Sequence, residues 1–124
     1  MRIASSALAI VTMIFLVCLA LCGLPARAYD ADDTLAAIDQ ASADTGVSRA
    51  RLYAIVRCET GGTFSPNAVG RLGEIGAAQL YRKGELPNFY ARGYDNPWNP
   101  YQAVDFLANR LLEGGARAWT CAAR

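Results

Sequence analysis

No histidine occurs among the 124 residues. That absence removes the Ser-His-Asp and Cys-His nucleophile pairs, and with them any His-ligated zinc site. Charge is also sparse: 12 Lys+Arg stand against 11 Asp+Glu, a net of +1, with no basic block. Such a balance gives no reason to expect a nucleic-acid partner. Neither a metal nor a cofactor is expected, so any catalysis must rest on carboxylates, hydroxyls, amides and backbone. The length allows one small domain.

The 53% apolar share owes much to the front of the chain. Arg2 is followed by an uncharged run from Ile3 to Leu24, then by Pro25 and Ala26-Arg27-Ala28. A basic start, an apolar middle and an Ala-x-Ala site are the layout of a secretory signal over residues 1–28. An uncleaved membrane anchor is the rival, since about 20 apolar residues span a bilayer. Pro25 and the small-residue site favour cleavage after Ala28. Leu19-Ala20-Leu21-Cys22 is a poorer lipoprotein signal, because Leu21 is bulky where a small residue is needed.

Cleavage would leave a chain from Tyr29 with no stable membrane insertion, secreted or held in the periplasm or cell wall. It would carry a net charge of −1 and two cysteines, Cys58 and Cys121. Two distant cysteines in an exported chain suggest one disulfide. In a domain this small, a bridge across so long a loop would add about 4 kcal/mol on the chain-entropy model.

Three helices are expected. The first, within a spacer-like segment 29–46, is capped by Asp32 or Asp33, runs to about Thr45 with Leu35, Ile38 and Ser42 on one stripe, and stops at Gly46. The second has Ser48 as N-cap and Val47 stapling onto Leu52. Its stripe of Leu52, Ile55, Val56 and Glu59 follows the i, i+3, i+4, i+7 pattern. The third follows Asn96-Pro97-Trp98-Asn99-Pro100, with Val104, Leu107 and Leu111 on its apolar face and Tyr101, Phe106 and Ala108 beside them, and ends at Gly114-Gly115. Between them, from Thr63 to Gly93, lies a Gly/Pro-rich loop with only a short helix around Ala77 to Tyr81. The reading is a small all-α domain with one disulfide, the main unit being residues 47–124.

Glu59 ends an apolar stripe beside a cysteine. Burial and the negative end of its own helix both disfavour its charged form. A carboxyl kept protonated near neutrality is the proton donor that glycosidic cleavage needs. A partly exposed helix-end Glu that pairs with Arg57 or caps a loop is the plain alternative. Glu74, Glu85 and Asp95 are the acids close enough in sequence to act as a second carboxylate, and solvation is expected for all three. Trp98 and Tyr94 are the aromatics best placed to stack on sugar, whereas Trp119 reads as packing. Arg71, Arg82, Lys83 and Arg92 read first as ordinary surface charge.

The run Glu59-Thr60-Gly61-Gly62-Thr63-Phe64-Ser65-Pro66-Asn67-Ala68, followed by Gly73, Gly76, Gln79 and Leu80, resembles the core of the soluble lytic transglycosylases. In that family Glu-Ser precedes Phe-x-Pro-x-Ala and then Gly-x-x-Gly-x-x-Gln-Leu. The Cys58-Glu59 pair and Trp119-x-Cys121 also resemble the catalytic domain of resuscitation-promoting factors, where the two cysteines would match a disulfide. The resemblance spans about residues 47–121. It implies a lysozyme-like fold and cleavage of the MurNAc–GlcNAc β-1,4 bond of peptidoglycan strands by a monomer, with a 1,6-anhydro-MurNAc product.

By the same resemblance Glu59 is the single catalytic acid/base. Thr60, at the family's Ser position, and Gln79 contact substrate, and Gly73 and Gly76 let backbone approach the glycan. Pro100 replaces the family's Asn, Ala77-Ala78 replaces a bulkier pair, and the family's later tyrosine segment is missing. Tyr81, Tyr90, Tyr94 and Tyr101 are candidates to replace that tyrosine. A hydrolytic muramidase, which would need a second carboxylate roughly 6.5–9.5 Å away if inverting, and a non-catalytic wall-binding domain are the alternatives.

Overall fold

The computed structural model describes residues 27–123. The export-signal reading of residues 1–28 therefore lies outside the described residues, apart from its last two. Among the described residues, four α-helices and one 3₁₀ turn make up the regular structure, and no strand occurs. The all-α class holds. No described helix is long and apolar enough to cross a membrane.

Helix α1, Ala31–Thr45, is capped two or three residues before the expected Asp32 or Asp33. Asp30 is the N-cap and accepts from the Asp33 N–H at 3.1 Å, while Asp33 accepts from the Asp30 N–H at 2.9 Å. This reciprocal pair satisfies two N-terminal donors and explains the earlier start. Gly46 closes the helix in the left-handed region. The buried face is Thr34, Ala37, Ile38 and Ala41, turned one residue from the expected Leu35/Ile38/Ser42 stripe. Small side chains on that face let α1 lie close to the last helix, and these two form the most extensive helix pair. The segment is part of the core and not a spacer.

Helix α2, Arg49–Glu59, matches its expectation. The Ser48 hydroxyl accepts from the Arg51 N–H, Val47 is buried ahead of it, and Leu52, Ile55 and Val56 face the core. Beyond Gly61-Gly62 the chain turns repeatedly, pinned by isolated bridges from Ile75 to Val69 and to Leu80.

The short helix expected around Ala77–Tyr81 is absent. Those residues form turns, and Gln79 sits at φ 48°, which no right-handed helix accommodates. A helix forms later instead. Helix α3, Glu85–Ala91, lies inside the expected Gly/Pro-rich loop and buries Phe89 completely. Pro87 falls in the first helical turn, where its missing N–H costs nothing.

Helix α4, Pro100–Leu112, has Asn99 as N-cap, accepting from the Tyr101 N–H at 3.0 Å, and Pro100 at the first position. Ala103, Val104, Phe106, Leu107, Ala108 and Leu111 are buried, so Phe106 is central to the core and not a flanking residue. Phe89 stacks on Tyr94 at 4.9 Å, and Phe106 meets Phe89, Tyr94 and Trp119 edge-on at 5.4, 5.7 and 6.3 Å. After the Gly115–Ala118 turn the chain returns to α2, where Cys121 bridges Cys58 with Cα atoms 5.9 Å apart.

Candidate functional site

Glu59 is the last residue of α2. Its three stripe partners are buried in the core, but the helix ends just as the stripe reaches the surface, leaving the carboxyl half-buried. Burial pushes its pKa up, the neighbouring Glu74 charge adds to this, and a hydrogen bond from the Cys121 backbone N–H to Oε1 at 3.1 Å opposes both. Burial wins. Of the plain alternative, the pairing with Arg57 does not occur among the described residues, whereas the bond from Cys121 does make Glu59 an acceptor for the terminal turn.

The carboxyl opens into a cleft of about 170 Å³. One wall comes from the turns after α2: Leu72, Glu74, Gln79 and Tyr81. The other comes from Ala118, Trp119 and Thr120. Gln79 is nearly buried, and its amide donates to the carbonyls of Gly76 at 2.8 Å and Ala68 at 3.1 Å. Those bonds consume both N–H donors in the wall itself, leaving Oε1 as the free polar atom of the side chain.

Gly70 makes the wall possible. A Cβ there would come within 2.2 Å of a Glu74 carboxylate oxygen and 2.7 Å of Gln79 Oε1. The absent side chain is the notch in which both groups sit. Glu74 Oε2 also accepts from the Leu72 N–H at 3.0 Å, so its carboxylate is held against the loop that bears it.

The expected site residues are only partly brought together. Glu59 and Gln79 share the cleft. Thr60 is buried: its hydroxyl donates to the Val56 carbonyl at 2.8 Å and accepts from the Phe64 N–H at 2.9 Å. It closes the helix end, and its hydroxyl is engaged by backbone and does not line the cleft. Gly73, at φ 82°, makes a turn through its N–H to the Gly70 carbonyl. Gly76 faces Pro97, whose carbonyl oxygen would stand 2.3 Å from a Cβ. Its close approach is to protein backbone.

Tyr94 and Trp98 do not line the cleft. The Tyr94 hydroxyl donates to Asp105 at 2.6 Å, and burial together with that carboxylate pushes its pKa up to about 12. It borders a different hollow with Asp44, Tyr101 and Asp105. Trp98 is partly exposed on the turn before α4. Trp119 is a packing residue as expected, with Nε1 donating to the Ala78 carbonyl at 2.6 Å and only its edge reaching the cleft.

Among the four candidate tyrosines, Tyr81 alone lines the cleft with Glu59. Among the three acids, Glu74 does, whereas Glu85 pairs with Arg110 and Asp95 accepts from Gln102. Leu72 and Tyr81 are both exposed at the rim. Sequence reasoning did not single out Leu72. Its only signal is its place between Gly70 and Gly73.

A larger hollow of about 470 Å³ lies on another face of α2, lined by Tyr53, Ala54, Arg57, Cys58, Gly61 and Gly62. It contains no carboxylate. No group of three or more His, Cys, Asp or Glu suited to a metal occurs among the described residues. No protein-family model, curated protein or solved structure matches the chain.

Proposed function

We propose that this protein is an exported, lysozyme-like lytic transglycosylase that cleaves the MurNAc–GlcNAc β-1,4 bond of peptidoglycan as a monomer. One observation carries the reading: a half-buried carboxyl, Glu59, whose pKa is raised by burial, opens into a cleft beside Gln79. The Glu-to-Gln sequence block supports it independently.

In the proposed reaction Glu59 gives its proton to the glycosidic oxygen as the bond to the anomeric carbon breaks. The resulting carboxylate then takes the proton of the MurNAc 6-hydroxyl, whose oxygen bonds to the anomeric carbon and closes the 1,6-anhydro ring. The attacking group belongs to the bound sugar, so its encounter is intramolecular and favoured by proximity. One carboxyl serves both steps. Tyr81 and Leu72 offer a face for a sugar ring at the rim.

A second reading has an observation of its own. Glu74 shares the cleft and is close enough to raise Glu59, which is the carboxyl pair a hydrolytic muramidase would use to activate water. A zymogram on cell-wall substrate, comparing wild type with Glu59→Gln, separates an enzyme from a wall-binding domain. Mass spectrometry of the digest then decides the route. Ends lighter by one water are 1,6-anhydro-MurNAc, and reducing ends alone would assign a hydrolase.

A further inference from the structure

Cys58 and Cys121 stand in two relations to Glu59 at once. Cys58 precedes it on α2, and Cys121, joined to Cys58 through sulfur, donates its backbone N–H to Glu59 Oε1 at 3.1 Å. Most of the terminal turn is held without the bridge. Trp119 is anchored by its ring N–H to Ala78, and the N–H groups of Ala122 and Ala123 return to the Trp119 carbonyl. What the bridge adds is local: it presses the residue bearing that one N–H against the acid.

We infer that Cys121 is a positioning residue for Glu59, and that the disulfide is a reversible tether through which a dithiol can alter the acid without removing it. The catalytic consequence rests on the reading of Glu59 as proton donor. The effect of the tether on the Glu59 carboxyl does not.

The tether is open to attack. Cys58 is exposed and lines the hollow of about 470 Å³, while Glu59 faces the cleft on the other side. A thiolate of the dithiol reaching the Cys58 sulfur forms a mixed disulfide there and expels Cys121 as a thiolate, which takes a proton from water. The second thiol of the reagent then closes onto the first, releasing Cys58 as a thiol. The protein gains two electrons and two protons, and the reagent leaves as a cyclic disulfide.

With the tether open, the Cys121 N–H is no longer pressed against the acid; as it withdraws, Glu59 loses a donor that favours its charged form. Glu74 and Tyr81 are the titratable groups facing it across the cleft, and Thr120 and Gln79 are its neutral neighbours there. None of these supplies a replacement N–H from the backbone of residue 121. The carboxyl therefore holds its proton to higher pH when the bridge is reduced.

The test is a carbon-13 NMR titration of the Glu59 carboxyl in the oxidised protein and in the same protein under dithiothreitol, with Trp119 fluorescence, read in a Trp98→Phe variant, reporting whether the terminal turn stays packed. The expected result is an upward shift of the midpoint on reduction, reversed on reoxidation. A semisynthetic chain with N-methylcysteine at 121 keeps the bridge but lacks the N–H, so it answers the question even if reduction unfolds the domain. It should show the same upward shift. An unchanged midpoint in the N-methyl protein overturns the inference. In parallel, the alkaline limb of the cleavage rate should move up with the midpoint. A folded protein that shifts its midpoint but cleaves no peptidoglycan would refute the proposed function and leave the positioning role standing.

Discussion

Gly76 and Pro97 meet with no room for a side chain between them. A Cβ on Gly76 would lie 2.3 Å from the Pro97 carbonyl oxygen, and the glycine itself sits at φ 77°. This contact fastens the cleft wall, which includes Gln79, to the turn that starts α4. Gly76→Ala should therefore cost about 2 kcal/mol or more, from the left-handed backbone alone and before the clash is counted. Urea unfolding of the variant measures it, and a loss below half that value would mean the loop relaxes freely.

Glu59→Gln should lower cleavage by roughly 10²–10⁴-fold, the usual contribution of a general acid. Its effect on stability should depend on pH. Burial raises the folded-state pKa, so the folded protein binds this proton more tightly than the unfolded chain does. Wild type then loses stability as pH rises from the ordinary carboxyl range through the raised value. The variant escapes that loss, and should match wild type in acid and exceed it at neutral pH. Equal denaturation midpoints at both would contradict the assignment.

Glu74→Gln removes the like charge that helps to raise Glu59. The alkaline limb of the cleavage rate should shift to lower pH, because Glu59 ionises more easily. The Leu72 N–H keeps an oxygen acceptor in the variant, so the loop should hold. If cleavage persists with anhydro products, Glu74 is not the base of a hydrolytic route. Loss of cleavage, in an enzyme whose wild type makes reducing ends, would give it that role.

Arg110 joins α4 to α3 through two bonds to Glu85, at 3.0 and 3.1 Å, and also meets Glu113 at 3.2 Å. Burial pushes Glu85 up, but Arg110 and Asn88 overcome it and hold its pKa below the ordinary value. Hydrogen bonds from Arg92, with further help from Arg110, draw Glu113 down to about 2. Both carboxylates thus contribute stability above the ordinary Glu range, which is lost as pH falls through their depressed values. Arg110→Met should cost about 1–3 kcal/mol at neutral pH, by leaving Glu85 partly buried without its partner. The acid dependence of its thermal midpoint should also be shallower than in wild type.

Ile38→Ala tests whether α1 belongs to the core. The side chain is fully buried in the same apolar cluster as Leu52 and Val104, so the cost should be about 2–4 kcal/mol. A dispensable helix would give a near-zero change in denaturant midpoint.

Helix α2 was legible because its signals agree. Ser48, Val47 and the stripe ending in Glu59 specify the same helix and place an acid where burial begins to fail. The role of α1 was not legible, because Ala37 and Ala41 lower the apolar contrast of the very face that packs closest. Pro87 hid α3, since a proline in a first turn and one in a loop look alike in sequence. Gln79 fell in a segment resembling a helix, but its left-handed backbone comes with a side chain held by the Gly70 notch and the carbonyls of Ala68 and Gly76, which only the folded loop assembles. For the aromatics of the Gly/Pro-rich region, composition carried no direction. Tyr94 turned inward to Asp105 and Tyr81 outward to the cleft. Glu74 had no periodic context, and its neighbour across the cleft is set by tertiary structure alone.

The bridge from Cys58 to Cys121 also sets how the chain answers tension. Pulled from its two ends, the covalent path crosses the sulfur atoms and bypasses the 63-residue separation between the cysteines. Roughly 200 Å of contour length is thereby withheld from extension, taking the fully extended spacing per residue. Helix α1 lies outside the ring and is secured without a covalent link, by packing and by the Arg49–Asp39 and Tyr101–Asp33 contacts, so it strips away first. The turns bearing Glu74, Gln79 and Tyr81 lie within the ring and carry none of the pull. On a strained polymer network, the protein could be stretched at its N-terminal side while one wall of its cleft remained mechanically silent.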